Sequence, residues 1–308
     1  MPAAEVIESF ACFGGEVTVV VMGNGPAGSA GEAVAAVKRR MLEWHQQFSR
    51  FEPDSELSRL NADQRETVPV SPVMARLVEA LAAAAAATGG LVDATLVGEL
   101  EAAGYATHFD SEPVPLVRAL ELAPQRAAAG PSQAARWRSV SVDRGRGTVT
   151  RPPGVSLDSG GIAKGLFCDI LASILDGHSS YAIDCAGDVR LGGRAGLKRP
   201  VQVASPFADA ILHVFSLNGG AVATSGVGKR SWLDGDGRPA HHLLDPASGR
   251  PAYTGIVQAS AIAPSGVEAE WRAKAALLSG PNGAPAWLTH GGLVVHDDAS
   301  FELLPAAR

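Results

Sequence analysis

The densest run of chemistry-bearing residues is Leu157-Asp158-Ser159-Gly160-Gly161-Ile162-Ala163-Lys164-Gly165. Its pattern predicts a strand ending in Asp158, a glycine turn, and a helix running from about Gly161 to Leu175. A helix start carries free N–H groups and the positive end of the dipole, and both suit a phosphate. Lys164 falls in the first turn, where acids are ordinarily favoured, so its charge points to a bound anion. The competing reading is a capped helix with a solvated lysine. The run lacks the Lys-Ser/Thr pair of a Walker loop.

Three more polar clusters interrupt apolar surroundings: Ser49 to Asn61, Thr88 to Asp93, and Thr224-Ser225-Gly226 followed by His241 to Gly249. His242 beside a strand is a candidate for proton transfer, set against a purely structural histidine. Asp93, just after a glycine pair, reads as a helix cap or a ligand. Asp245-Pro246-Ala247-Ser248-Gly249 is turn chemistry. Gly23-Asn24-Gly25-Pro26-Ala27-Gly28 fits the spacing of a dinucleotide fingerprint. However, the polar stretch from Ser49 to Ser55 stands where the next apolar strand of that unit belongs. A plain glycine-rich turn is the favoured reading.

These residues need elements to position them. Glu16 to Met22 reads as a strand. Val34, Val37, Met41, Trp44 and Phe48 make one apolar stripe on a helix from Gly31 to Phe48. Ser71-Pro72 opens a second helix whose stripe is Met74, Leu77, Leu81 and Ala85, and Gly89-Gly90 stops it. Its run of six alanines, Ala82 to Ala87, reads as close helix packing. Strands then dominate: Ser139 to Val142, Thr148 to Arg151, Tyr181 to Cys185, Pro200 to Ala204, Leu212 to Leu217, Ala221 to Ala223, near His242, Ile256 to Ile262 and Leu293 to Val295. A last helix runs from Ser265 to Leu278, with Ser265 and Glu268 as a capping box. Strand groups with a few packed helices imply an α+β fold. The segment of about 105–137 has no clear pattern.

The composition narrows the functional classes. The 308 residues, 46% hydrophobic, suffice for a large core. A net charge of −6 without a basic run excludes a nucleic-acid stripe. No apolar stretch is long enough to span a membrane. Met1 to Ala11 carries Glu5 and Glu8 and reads as neither a signal peptide nor, despite Ser9-Phe10-Ala11-Cys12, a lipoprotein leader. Cys12, Cys168 and Cys185 have no metal spacing and read as free thiols of a reducing cytoplasm.

In this order the clusters resemble the FAD:protein FMN transferase (ApbE) family. Its serine–aromatic–Arg-Pro-Asp-Ser-Glu segment matches Ser49 to Glu56, and its Gly-Gly-x-x-Asp matches Gly89 to Asp93. Its Asp-x-Gly-x-x-x-Lys-Gly matches Asp158 to Gly165, its Gly-Asp Gly187-Asp188, its Thr-Ser-Gly Thr224 to Gly226, and its His-x-x-Asp-Pro His242 to Pro246. The resemblance covers about residues 10–297. It implies one ApbE-like domain over 1–308, of T-fold-related mixed sheets with packed helices. It also implies binding of FAD and, with magnesium (Mg2+), transfer of its FMN half to a threonine of a partner flavoprotein, releasing AMP. FAD contacts would come from Phe13 (for a family methionine), Phe51 (for a tyrosine), Leu91, Val92, Asp93, Asp158, Lys164 and Leu243, with His242 handling the proton.

One departure concerns the metal. The family's ligands are a backbone carbonyl at the Gly161 position and, on the last helix, an aspartate and a threonine four residues later. Here those two read Glu270 and Lys274. The spacing fits an ordinary Glu–Lys surface pair. It equally fits a Lys274 ammonium standing in the cation's place, and a charged lysine cannot ligate magnesium. Two other readings therefore stay open: a flavin-binding homologue without transferase activity, and an FAD pyrophosphatase giving FMN and AMP.

Overall fold

The computed structural model describes residues 4–109 and 112–307. Eight strands form one antiparallel sheet: β1 Glu5–Cys12, β2 Gly15–Met22, β3 Ser180–Cys185, β4 Asp188–Gly192, β5 Gly220–Gly226, β6 Ile256–Ala263, β7 His290–His296 and β8 Phe301–Ala306. Their order across the sheet is their order in the chain. Alternation explains the faces: Val17, Val19 and Val21 of β2 are fully buried, while Thr18 and Val20 between them are not. Ser9 to Cys12 is the end of β1, with the Cys12 thiol buried. β1, β4 and β8 lie outside the sequence reading. β1 and β8 are half-exposed edges with weak apolar alternation, and β4 is a short partner of the β3 turn.

The helices are α1 Ala30–Phe48, α2 Glu56–Ala62, α3 Pro72–Ala87, α4 Val97–Ala102, α5 Leu116–Leu122, α6 Ala163–Leu175 and α7 Gly266–Gly283. α1 packs on β1 and β2, α6 on β3 and β4, and α7 on β5 and β6. The predicted stripe of α1 is its buried face, and the alanines of α3 divide between a buried and an exposed side. The mixed α+β architecture follows the sequence expectation. Among the described residues, no helix is long and apolar enough to cross a membrane.

Several local expectations change. Ser49 to Asn61 is not all loop: the Ser55 hydroxyl accepts the Ser58 amide and caps α2. Extended, irregular chain rather than a strand leads into Asp158. The capping box falls at Ser29 and Glu32, both halves present. At α7 only Ser265 caps, accepting from the Glu268 amide. The Glu268 carboxylate turns instead to Arg272 at 2.7 Å and His290 at 3.3 Å. α7 also runs past Leu278, through a kink at Gly280, where φ is +69°.

The Gly23–Gly28 turn is a packing device. A Cβ at Gly25 would come within 2.5 Å of the ring of buried His178, and the ring's Nδ1 lies 2.9 Å from Gly23 O. The segment 105–137 holds α5 and the start of a 3-10 turn at Arg136–Ser139, and the chain between them is tied down by outside partners. Arg126 pairs with Asp297 at 2.6 Å, and the Gly130 amide donates to Asp245 at 2.9 Å. Asp110 and Ser111 of that segment, and Met1 to Ala3, lie outside the described residues.

α6 and α7 cross at two glycines. A Cβ at Gly165 would stand 2.4 Å from Gly266 O, and one at Gly266 would stand 2.6 Å from Gly165 O. The Asp169 carboxylate of α6 accepts the first two amides of α7, at 2.7 and 3.0 Å. Gly165→Ala should therefore lower the unfolding free energy by about 1–3 kcal/mol through overpacking. Gly31→Ala, in α1 with open space around it, should be neutral or stabilising by up to ~1 kcal/mol. Urea unfolding of the two variants checks this, with equal slopes and displaced midpoints expected.

Candidate active site

A cavity opens where the β1–β2 turn, the α1–α2 and α3–α4 connections, the Asp158–Lys164 turn and the loops after β5 meet. Phe13 and Gly14 make the tight turn from β1 to β2, and Phe13 has φ +52°, an uncommon value for a bulky residue. Its ring packs edge-on to His45 at 5.2 Å and against Phe167 at 5.4 Å. Leu91, Val92 and Leu243 continue the apolar lining. At the opposite side, the Arg50 guanidinium lies over the Phe51 and Tyr105 rings, 4.2 and 4.9 Å from their centroids. It holds Asp158 at 3.2 Å and donates to Tyr105 O.

The glycine stop after α3 places Asp93. Gly89 and Gly90 have φ of +61° and +89°, and their amides donate back to Ala86 O and Ala85 O. Asp93 Oδ1 accepts from the Thr95 amide and hydroxyl, at 2.8 and 2.7 Å. Its Oδ2 is buried without a partner among the described residues, in a residue that lines the cavity. Such an oxygen is a ready acceptor for a ligand N–H or hydroxyl. Asp158 is fixed by backbone: its amide donates to Ala94 O at 2.9 Å, and the Asn61 side chain clamps both polar groups of Leu157.

The start of α6 is less open than expected. The Ala163 amide donates to Ser159 O, the Leu166 amide to Ile162 O, and the Gly165 amide to Glu270 Oε2 at 2.9 Å. Lys164 is not solvated. Its Nζ lies 2.5 Å from Asp188, whose other oxygen accepts the Thr224 amide at 3.1 Å. Burial works against the Lys164 charge, but Asp188 and Glu270 hold its pKa above the ordinary lysine value. The Gly-Asp and Thr-Ser-Gly motifs thus sit behind the lysine and orient it.

Glu270 and Lys274 are not a surface pair. They are 1% and 9% exposed, with Lys274 Nζ 3.1 Å from Glu270 Oε1. Lys274 lines the cavity beside Gly161; its Cε would lie 3.9 Å from a Cβ there. Burial raises the pKa of the Glu270 carboxyl, and Lys274 works against that rise. A divalent ion here needs several oxygen ligands. Glu270 gives one oxygen to an ammonium and the other to an amide, and Asp188 does the same. The residues present at this corner do not fit magnesium.

A second group of ligand-type residues stands at the rim. One ligand atom each from His45, Glu52 and His108 lie within 4.8 Å of one another. His45 Nδ1 accepts the Phe13 amide at 3.2 Å. That leaves the proton of the neutral ring on Nε2 and no free lone pair for a metal.

His242 lines the cavity just after the strand Pro239–His241, with its Nδ1 buried and unpartnered among the described residues. Burial, with Arg230, His241 and Lys274 around it, keeps its pKa well below the ordinary histidine value. Arg230 also lines the cavity, and its Nη2 reaches Phe13 O at 3.4 Å. His241 faces the other way, edge-on to Tyr253, and its Nδ1 accepts the Leu243 amide at 3.2 Å.

Phe13, Phe51, Leu91, Val92, Asp93, Asp158, Gly161, Lys164, His242, Leu243 and Lys274 therefore share one cavity, and Glu270 lies directly behind Lys274. Sequence reasoning did not single out Arg50, Tyr105, His108, Phe109 or Arg230, which line it too. Arg50 sits inside a recognised motif. Arg230 follows Lys229 at the end of a glycine-rich loop. Tyr105-Ala106-Thr107-His108-Phe109 is an aromatic cluster in the segment without periodicity.

The sequence profile of the ApbE family matches residues 13–295. A Rhodobacter capsulatus protein named FAD:protein FMN transferase is 29% identical over 320 residues, covering 100% of this chain but 58% of its own length. An Escherichia coli (strain K12) protein of the same name is 26% identical, covering 82% of this chain and 72% of its own. The crystal structure of the ApbE protein of Thermotoga maritima superposes with a TM-score of 0.78 at 24% identity, over 98% of this chain and 97% of that one. The likeness to that structure is one of fold.

Burial lowers the His241 pKa from 6.5 to about 4. The unfolded chain binds a proton below about 6.5 that the folded chain refuses until about 4, so this stability is present above 6.5 and lost as pH falls through that window. The loss amounts to roughly 3 kcal/mol. His241→Gln should flatten the curve of unfolding free energy against pH between those limits, as measured by urea titrations at successive pH values.

Proposed function

The chain belongs to the ApbE family, and we propose that it binds FAD and transfers the FMN half to a threonine hydroxyl of a partner protein, releasing AMP. The observation that carries the reading is the convergence of six separate motifs on one cavity. Four line it directly. The other two, Gly187-Asp188 and Thr224 to Gly226, hold Lys164 from behind through Asp188. The two relatives named above carry that activity in their names. Of the first of these the chain spans 58% of the length.

Each wall has a task in this reading. The apolar side around Phe13, Val92 and Leu243 takes the flavin ring, excluding water from it. The free Asp93 Oδ2 accepts from an N–H or hydroxyl of the nucleotide. Lys164, Lys274 and Arg230 face the pyrophosphate, where charge develops as the reaction proceeds. The threonine oxygen attacks the flavin-side phosphorus, forming a new P–O bond. The P–O bond to the bridging oxygen breaks, and its electron pair leaves with AMP. The threonine proton passes to His242, which is neutral because burial and Arg230 oppose its protonation. No magnesium is placed at the Gly161–Glu270–Lys274 corner, and no step depends on one. The three free buried thiols fit a reducing compartment, and the proposed location is the cytoplasm.

Four outcomes test this. Titration should show FAD binding more tightly than riboflavin, because the cations contact only the phosphates; equal affinities would remove the site assignment. Lys164→Met with Asp188→Asn should cost about ten- to a hundredfold in FAD affinity while riboflavin binding is kept. His242→Asn should cut FMN transfer to a threonine-bearing acceptor, and the AMP release that accompanies it, by ~10²–10⁴-fold with FAD affinity kept. The acid limb of wild-type transfer should lie below pH ~6.5, and Arg230→Leu should move it upward. Free FMN, formed without labelled acceptor, would instead identify a pyrophosphatase.

A further inference from the structure

We propose that the Lys274 ammonium is a built-in cation for the pyrophosphate, so that this chain takes up FAD without a divalent ion. The proposal rests on FAD being the ligand. Lys274 stands between Glu270 and the cavity: its Nζ is 3.1 Å from the Glu270 carboxylate, and the lysine lines the cavity while Glu270 does not. It also lies against the Gly161 turn. One positive charge is therefore held at the spot where the family resemblance sets a metal, between a carboxylate on α7 and the backbone at Gly161.

The surroundings leave no demand for another cation. Lys164 with Asp188 and Lys274 with Glu270 make two buried, charge-balanced pairs. Every carboxylate oxygen in the two pairs already faces an ammonium or a backbone amide. A dication entering between these pairs would meet two ammonium groups, and both carboxylates there are already engaged. A pyrophosphate entering from the cavity side meets those same two ammonium groups as donors. The pair also fixes Lys274 in place, because Glu270 is anchored by the Gly165 amide at the glycine crossing.

The experiment is calorimetric titration of FAD, and of riboflavin as a phosphate-free control, into the full chain stripped of metal. Each is run in EDTA and again with excess magnesium. Wild-type FAD affinity should agree within about twofold between the two conditions. Lys274→Met alone leaves Glu270 buried and unpaired and risks unfolding, so the neutral double variant Glu270→Gln/Lys274→Met is measured beside it. That variant should lose about ten- to a hundredfold in FAD affinity with riboflavin affinity unchanged. Glu270→Asp/Lys274→Thr should bind FAD weakly in EDTA and recover it with magnesium. Wild-type FAD binding that vanishes in EDTA and returns with magnesium overturns the proposal, as does a neutral double variant that binds FAD like wild type. Absence of FAD binding under both conditions overturns the FAD reading itself, and this proposal with it.

Discussion

The site depends on the crossing of α6 and α7 at Gly165 and Gly266. With no Cβ on either residue, the two backbones approach closely enough for a carboxylate on α7 to accept an amide in the first turn of α6. That contact takes one of the orphan donors at the helix start, which would otherwise face solvent or a ligand. In exchange it anchors Glu270, Glu270 anchors Lys274, and the ammonium projects into the cavity. Asp169 repeats the device in the other direction, capping α7 from α6. The crossing is therefore a frame that fixes two lysines on the wall of one cavity.

The rest of the cavity is built around that frame by turns rather than by long elements. The sheet contributes the Phe13–Gly14 turn, where a phenylalanine is held at positive φ, a conformation costing of order 1–3 kcal/mol. Its amide is bonded to His45, its carbonyl meets Arg230, and its ring lies between His45 and Phe167. Strain held by so many contacts keeps the ring on the cavity wall. Arg50 acts similarly on the far side, joining Asp158 to the Tyr105 loop by charge and by stacking.

What the sequence makes legible follows the range of the forces involved. The apolar stripes of α1 and α3, the glycine stop of α3, and strand β2 rest on local pattern, and they are readable from it alone. The motif residues were readable because glycines, acids and bases stand out against an apolar background. The state of Lys164 was not readable: its partner Asp188 lies on another strand, so solvated and buried lysines look identical in one dimension. The Glu270–Lys274 spacing likewise fits a surface pair, and only packing against α6 makes it buried. The aromatic wall from Tyr105 to Phe109 gives no periodic signal, because its order comes from Arg50 and Trp232 rather than from a helix or strand of its own.

The buried Glu270–Lys274 pair has a consequence for descent. Removing either partner alone strands an ion in the interior, at a cost of about 3–5 kcal/mol, a large share of what keeps a domain folded. A lineage carrying this pair cannot neutralise one of the two positions alone without leaving the other charge unpaired in the interior. The two charges are therefore inherited as a unit, unless a metal ion takes the place of the ammonium.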